Sequence, residues 1–169
     1  MTDYNTSHCQ STQPDCNCAS NDNRNNIFPI ASDHAGFELK EIVKKHLEAK
    51  GFQVKDFGTY SGDSVDYPDY AHPIASAVNK GEYPRGIVIC GSGNGVQMTC
   101  NKYPHVRCAL CWNEEIASLA RQHNDANMMA LPARFIPSEL ALSLVDIFLS
   151  TPFEGGRHQR RVEKISQLL

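Results

Sequence analysis

Short apolar runs alternate with amphipathic segments from Ile27 onward. The apolar runs predict strands over 27–32, 52–57, 86–90, 106–111 and 127–131, and the segments between and after them predict helices near 37–47, 68–79, 94–101, 113–123, 138–149 and from 157 to the C-terminus. Strands that alternate with helices form parallel sheets covered on both faces. We therefore expect an α/β fold, a single Rossmann-like three-layer α/β/α domain with a five-stranded parallel sheet.

The first 26 residues have a different composition, rich in Asn, Asp, Ser, Thr and Gln and almost without apolar side chains. Such a segment cannot bury enough apolar surface to fold alone. We interpret 1–26 as a flexible N-terminal extension and 27–169 as the domain. His8, Cys9, Cys16 and Cys18 offer metal-ligand atoms in the extension, but their spacing matches no standard site.

Composition excludes several classes of protein. The net charge of −3 gives no basic field for nucleic acid, and no apolar run is long enough for a membrane span. No apolar signal-peptide core is visible, so a cytoplasmic protein is expected. An odd number of cysteines, seven, argues against a disulfide framework. Cys108 and Cys111 lie on a predicted strand, whose alternation points them to opposite faces and away from shared ligation.

The most informative stretch is the third predicted strand, which ends in Cys90 and runs into Gly91-Ser92-Gly93-Asn94-Gly95. Three glycines in five positions let the backbone turn tightly and expose N–H groups. Ligands of open α/β sheets bind at the carboxyl ends of strands. A thiol there is reactive as the thiolate, which positive charge or a helix N-terminus favours. The arrangement indicates a reactive Cys90 acting on an anionic small molecule.

Other candidate residues are expected to gather at the same crevice. Asp33 and His34 follow the first strand, His123 and Asn124 precede the fifth, Arg134 follows the fifth, and Arg157 and Arg161 share a helical face. Each also has a structural interpretation: Asp33 as a helix cap, His34 as a surface side chain, His123 as a histidine favoured at a helix C-terminus, and the arginines as a solvated face.

Several motifs are absent, and their absence reduces the number of protein classes that fit the sequence. The glycine loop lacks the third glycine or alanine of a dinucleotide-binding fingerprint, because Val96 stands there, and no P-loop sequence occurs. A cysteine phosphatase needs an arginine where Val96 follows the short loop. A Cys-His hydrolase using His123 remains open, although no residue that would orient the histidine is evident.

Several motifs occur in one order: Asp33-His34-Ala35-Gly36, Asp66-Tyr67-Pro68, Ile89 to Gly95, Asn101-Lys102, Arg121 to Asp125 and Glu154 to Val162. Together they resemble type B ribose-5-phosphate isomerases, a family that also holds galactose-6-phosphate and allose-6-phosphate isomerases. The resemblance covers about 29–165. It departs from the family at position 92, a serine where many members have threonine, and in the N-terminal extension, which has no counterpart.

The resemblance implies a homodimer, with sites that use residues of both subunits and need no metal or organic cofactor. It assigns Cys90 as the base, His123 and Asp33 to opening of the sugar ring, and Ser92 with the N–H groups of Gly91, Gly93, Asn94 and Gly95 to the enediolate oxygens. Tyr67 and Asn124 would line the sugar, and the phosphate would be held by His34, Arg134, Arg157 and Arg161.

The expected reaction interconverts D-ribose 5-phosphate and D-ribulose 5-phosphate, within the pentose phosphate pathway. One alternative is isomerisation of a six-carbon sugar phosphate such as allose 6-phosphate. Two others keep the same residues but change the class of protein: a cysteine-dependent hydrolase or phosphatase, which would form a covalent intermediate on Cys90, and a sugar-phosphate sensor without turnover.

Overall fold

Five parallel strands form a single sheet in the computed structural model, which describes residues 26–167. The strands are β1 Ile27–Ser32, β2 Gln53–Asp56, β3 Gly86–Cys90, β4 Cys108–Leu110 and β5 Met128–Pro132, and the helices are α1 Phe37–Ala49, α2 Tyr67–Asn79, α3 Asn94–Cys100, α4 Glu114–Asn124, α5 Ser138–Ser150 and α6 Arg157–Glu163. The predicted α/β fold with its five-stranded parallel sheet is confirmed. The predicted extension and its possible metal ligands, His8, Cys9, Cys16 and Cys18, lie outside the described residues.

The strand order β2-β1-β3-β5-β4 puts β3 at the centre of the sheet. Ser32 pairs with Ile89, and Cys90 pairs with Pro132, so the carboxyl ends of β1, β3 and β5 lie side by side. The chain segments that follow these three strands therefore meet at one edge of the sheet. A site built from strand ends forms there, as the general rule for open α/β sheets predicts.

Two apolar clusters cover the two faces of the sheet. Ile30, Val43 and Phe148 belong to the cluster under α1, α4 and α5, whereas Val88 and Ile74 belong to the cluster under α2 and α3. All five residues of β3 are buried, because helices cover it from both sides. Parallel strands of this kind are continuous apolar runs, which is why 86–90 was predictable.

The two cysteines of the C-x-x-C sequence pack on opposite sides of the sheet, as predicted. Cys108 lies in the cluster under α2 and α3, and Cys111 in the cluster under α1, α4 and α5. Burial raises the pKa of Cys111 to about 12 and also raises that of Cys108. Both thiols are therefore structural and protonated at neutral pH.

Two boundaries differ from the predictions. The last helix ends at Glu163, and turns follow it over 164–166, so the prediction of a helix to the C-terminus is wrong. β4 is shorter than 106–111, since the strand begins only at Cys108, whose backbone N–H and C=O bond to the side chain of Asn101. Within residues 26–167, no helix has both the length and the apolarity to cross a bilayer.

Candidate active site

A pocket of about 380 Å³ opens where the carboxyl ends of β1, β3 and β5 meet. Its volume lies in the usual range for small-molecule sites. Most of its lining consists of residues that the sequence pointed to, and two further residues, Ala35 and Phe135, join them. The lining is formed by Asp33, His34, Ala35, Tyr67, Cys90, Gly91, Ser92, Gly95, Arg134 and Phe135.

Cys90 lies at the floor of the pocket, where β3 ends, and is 5% exposed. The backbone N–H of Gly93 donates a hydrogen bond to the Cys90 sulfur at 3.1 Å. Gly93 has a φ of +75°, and a Cβ at this position would overlap Cδ1 of Leu110. Glycine is therefore required both by conformation and by space, and it directs an N–H donor at the sulfur, an arrangement that favours a thiolate.

The segment after β1 brings Asp33 and His34 into the pocket. The Asp33 carboxylate accepts a hydrogen bond from Gly36 N at 2.9 Å, so this residue does cap a helical turn, His34–Gly36, while it also lines the pocket. The N–H of Val65 donates to Nδ1 of His34 at 3.2 Å. Since Nδ1 accepts, the neutral ring carries its proton on Nε2, which is the tautomer that donates to an anion.

Arg134 is fixed beside the glycine loop by its own backbone. Its N–H donates to Gly91 O at 3.0 Å, and the N–H of Ala133 donates to Cys90 O at 2.9 Å. The Arg134 side chain is exposed and lies so close to Gly91 that a Cβ there would be 3.4 Å from Arg134 Cδ and Nε. The pocket thus holds a guanidinium and a histidine N–H, donors suited to a phosphate dianion.

Six predicted residues do not line this pocket. Gly93 and Asn94 lie beside it in the glycine loop, whereas His123, Asn124, Arg157 and Arg161 lie elsewhere in the fold. Because α4 lies between the parallel strands β4 and β5, its C-terminus is at the amino edge of the sheet, opposite to Cys90. His123 and Asn124 are the last two residues of α4, and α6, which carries Arg157 and Arg161, packs on α4. The expectation that all candidates share one crevice of a single chain is therefore wrong for His123, Asn124, Arg157 and Arg161.

A second polar cluster surrounds His123 at the amino edge. The rings of His123 and His158 stack face to face, with centroids 4.1 Å apart and planes 5° from parallel. Glu154 Oε2 lies 3.8 Å from His123 Nε2 and 3.6 Å from His158 Nε2. Burial, together with the nearby charges of His123 and Arg157, lowers the pKa of His158 below its ordinary value of 6.5.

His123, Glu154 and His158 offer one metal-ligand atom each, all within 4.8 Å of one another. However, the Nε of Arg157 donates a hydrogen bond to Nε2 of His158 at 3.3 Å, which occupies the lone pair that a metal would need. The parallel rings also direct their in-plane lone pairs side by side rather than toward a common point. The cluster is therefore held together by the stacking of the two rings and by the hydrogen bond from Arg157 to His158.

The turn after α4 is held by two arginines that the sequence analysis did not assign. Asp125 is left-handed, with a φ of +45°, and its carboxylate accepts hydrogen bonds from Arg121 Nη1 at 2.9 Å and from Arg107 Nη2 at 2.7 Å. The Nε of Arg107 also donates to the carbonyl oxygens of Asn124 and Asp125. This clamp fixes the chain that carries His123 and Asn124.

The fold matches solved structures of sugar-phosphate isomerases, and comparison with known proteins identifies the family. A family model described as Ribose/Galactose Isomerase matches residues 28–165. The chain belongs to this family, and both the resemblance inferred from the motifs and the predicted class of enzyme, a sugar-phosphate isomerase, are confirmed.

Individual relatives carry more specific names. The chain is 45% identical over 136 residues to ribose-5-phosphate isomerase B of Escherichia coli, covering 80% of this chain and 91% of the relative. It is 49% identical over 142 residues to a probable ribose-5-phosphate isomerase B of Mycoplasma genitalium, covering 83% and 93%.

Two solved structures of ribose 5-phosphate isomerases have the same fold as this chain. A crystal structure of a ribose 5-phosphate isomerase from Thermotoga maritima matches with a TM-score of 0.82 and 52% identity, over 84% of this chain and 98% of that chain. The Mycoplasma genitalium enzyme with bound ribulose-5-phosphate matches with a TM-score of 0.80 and 46% identity, over 83% and 93%.

Proposed function

We propose that this chain interconverts D-ribose 5-phosphate and D-ribulose 5-phosphate through an enediolate, with Cys90 as the base. The observation that carries the proposal is the position of the Cys90 sulfur, which accepts the Gly93 N–H in a pocket that also contains Arg134 and the Nε2–H of His34. A base and phosphate donors thus occupy the same pocket. The names of the relatives supply the pentose phosphate as substrate.

The reaction moves a proton between C2 and C1 of the open-chain sugar. In the proposed mechanism the Cys90 thiolate removes the proton from C2 of ribose 5-phosphate, and negative charge develops on the enediolate oxygens. The thiol then returns the proton to C1, while the hydroxyl proton moves from O2 to O1. Gly91, Gly95 and the hydroxyl of Ser92 line the pocket and are suited to donate to these oxygens. Losing one such preorganised donor typically costs about 3 kcal/mol of transition-state stabilisation. The N–H groups of Gly93 and Asn94, which the resemblance also assigned to this role, are already bonded to the Cys90 sulfur and to Ser92 Oγ.

The phosphate anchors the substrate away from the reacting carbons. His34 and Arg134 line the pocket and offer N–H donors, and an anchored substrate reacts faster because its carbons are held against the base. Tyr67 lies at the pocket wall against Gly95, where a Cβ would be 2.7 Å from its ring. Tyr67 is thus suited to contact the sugar. The Asp33 carboxylate, buried in the pocket, is suited to accept a hydrogen bond from a sugar hydroxyl, including the anomeric hydroxyl that loses its proton when the ring opens.

We further propose that a homodimer completes the site. His123, Asn124, Arg157 and Arg161 lie at the amino edge of the sheet, so in one chain they are separated from Cys90 by the length of β3. A second copy can bring its amino-edge cluster to the pocket of the first. Large apolar side chains exposed at the carboxyl edge, Phe135 at 73% and Trp112 at 48%, are suited to such a contact.

The first experiment measures conversion of ribose 5-phosphate to ribulose 5-phosphate by the wild type and by Cys90→Ala. We expect Cys90→Ala to lose turnover by at least about 100-fold, since it removes the acid-base group. Cys111→Ala, which removes another buried thiol, is the matched control and should retain turnover. Full turnover by Cys90→Ala would move the base to another residue, and release of inorganic phosphate would favour the cysteine phosphatase.

A mixing experiment tests the shared site. Cys90→Ala and His123→Ala are each expected to be inactive alone. A mixed dimer would contain one intact site, made from Cys90 of one copy and His123 of the other. Random exchange of subunits should therefore restore about one quarter of the wild-type activity, because half of the dimers are mixed and each has one working site. No recovery after subunit exchange would place both residues in one chain's site.

A six-carbon substrate is the second candidate, because the matching family model covers both ribose and galactose isomerases. The pocket volume of about 380 Å³ admits either sugar. The ratio of kcat/KM for ribose 5-phosphate and for allose 6-phosphate decides between them. A ratio above one assigns the pentose phosphate, and a ratio below one assigns the hexose phosphate.

A further inference from the structure

His158 is the buried partner of an exposed candidate residue. The side chain of His123 is 36% exposed, whereas that of His158 is 6% exposed. Their rings are stacked over a centroid distance of 4.1 Å. An exposed histidine at a helix end has several rotamers available, and restricting them costs conformational entropy. A rigid flat surface beside the ring lowers that cost by selecting one orientation.

The backbone and side-chain contacts of His158 make it rigid. Its N–H donates to Gly155 O at 3.0 Å at the start of α6, and its Nε2 accepts the hydrogen bond from Arg157 Nε at 3.3 Å. The segment before α6 is joined to α4 by the hydrogen bond from Glu154 N to Gln122 O at 3.1 Å. The two elements that carry the stacked rings are thus tied directly to each other.

From this geometry we propose that His158 is a positioning residue for His123, and that it also orients Arg157. The first part rests on the proposed role of His123 in opening the sugar ring. His158 does not reach the substrate in this scheme. It holds the imidazole of His123 in the orientation used for proton transfer, and its Nε2 fixes the guanidinium of Arg157. The second part rests on the phosphate-binding role that the family resemblance implies for Arg157.

Two substitutions of His158 distinguish its proposed role toward His123 from its proposed role toward Arg157. His158→Ala removes both the stacking surface and the acceptor for Arg157, whereas His158→Phe keeps a flat ring and removes only the acceptor. We expect kcat on ribose 5-phosphate to fall about 10- to 100-fold in His158→Ala and to stay within about threefold of the wild type in His158→Phe. KM should rise in both variants by a similar factor, because both release Arg157.

A matched control removes another histidine that contacts an aromatic ring. His72 meets the ring of Tyr103 edge-on, with centroids 5.8 Å apart, and does not line the pocket. His72→Ala should leave both kcat and KM unchanged. Circular dichroism and light scattering on every variant exclude unfolding or loss of assembly as the cause of a lower kcat.

A second kinetic readout isolates the step that His123 serves. Ribulose 5-phosphate has no furanose ring, so exchange of its C1 proton with solvent deuterium requires the Cys90 base but no ring opening. His158→Ala should therefore retain this exchange within about threefold of the wild type while it loses net conversion of ribose 5-phosphate. An equal loss of exchange and of net conversion would overturn the positioning role, because the defect would then be general.

The stacking itself can be measured without any activity. A ring stacked over another shifts the carbon-bound protons of that ring upfield in the NMR spectrum. The His123 ring signals, assigned from their loss in His123→Gln, should move downfield in His158→Ala and stay near their wild-type positions in His158→Phe. Unchanged signals in His158→Ala would refute the positioning proposal even if the isomerase activity is established. Shifted signals in a chain without isomerase activity would retain the stacking and refute the proposed function.

Discussion

The buried ammonium group of Lys40 holds in place the chain segment that leads to the pocket. Its side chain is completely buried, and Nζ donates to Asp56 Oδ1 at 2.7 Å, to Asp56 Oδ2 at 2.6 Å and to Thr59 O at 2.6 Å. These contacts join α1 to the last residue of β2 and to the chain that follows it. That chain continues to Val65, whose N–H bonds to the pocket residue His34, and then to α2.

We predict that Lys40→Met destabilises the fold by about 3 kcal/mol. Removing one partner of a buried ion pair typically costs about 3–5 kcal/mol, because the remaining charge stays desolvated. The lower end of this range of destabilisation applies here, because Asp56 keeps the hydrogen bonds from Lys44 Nζ at 2.7 Å and from Gly58 N at 2.8 Å. Lys44→Met, which removes the more exposed cation on the same carboxylate, should cost about 1 kcal/mol or less.

Urea unfolding followed by circular dichroism measures both variants. With an m-value of about 2 kcal/mol per molar urea, the Lys40→Met midpoint should fall by about 1.5 M. Combining Lys40→Met with Asp56→Asn should recover part of the loss, because the second change removes the unpaired charge. The reasoning is refuted if Lys40→Met unfolds within 1 M of the wild-type midpoint, or if the double variant loses the full sum of the two single losses.

Three further predictions address pH, the glycine loop and the turn after α4. Burial acts to raise the pKa of Asp56, but the hydrogen bonds from the two lysines and from Gly58 N outweigh it and hold the pKa below its ordinary value of 3.8. The resulting stabilisation is complete above pH 3.8 and is lost as the pH falls through the lower folded-state value, so urea midpoints should drop on acidification below pH 4 in the wild type and less in Asp56→Asn. Gly93→Ala should cost at least about 1 kcal/mol and lower kcat, because the Cβ would overlap Leu110 at a positive φ, and a variant with wild-type stability and kcat would contradict this. Asp125→Ala should lower kcat more than it raises KM, and it should also reduce the melting temperature. The reason is that Arg107 and the buried Arg121 would lose the carboxylate that binds them. Unchanged kinetics would show that this clamp is not needed for His123.

Local sequence predicted those parts of the fold and site that depend on neighbouring residues. The run 86–90 is a strand because every side chain is apolar and glycine-rich turns bound it, and Cys90 enters the pocket because it ends that strand. Asp33, His34 and Arg134 reach the pocket for the same reason, since each lies within two residues of the end of a strand. Because parallel strands end at the same edge of a sheet, residues that follow different strands lie close together in space.

Features that depend on distant partners could not be predicted in the same way. Lys40 looks like a surface residue of an amphipathic helix, and only Asp56, sixteen residues away in sequence, explains why it is buried. His158 lies between Arg157 and Gln159 in sequence and would be expected on the same solvated face, yet it is buried and stacked on His123. Charged and aromatic side chains are buried only where a partner satisfies them, and the identity of that partner is a property of the fold.

The direction of the helices explains why the candidate functional side chains lie at two edges of the sheet. In a parallel sheet every strand ends at one edge, and every connecting helix ends at the other, next to the start of the following strand. Cys90 ends β3 and His123 lies at the end of α4, so a thiol and an imidazole in these positions belong to opposite edges by connectivity. The length of β3 separates them within one chain, which is more than a change of rotamer spans. A reaction that uses both residues must therefore use two chains, and in the proposed mechanism catalysis is inseparable from dimerisation.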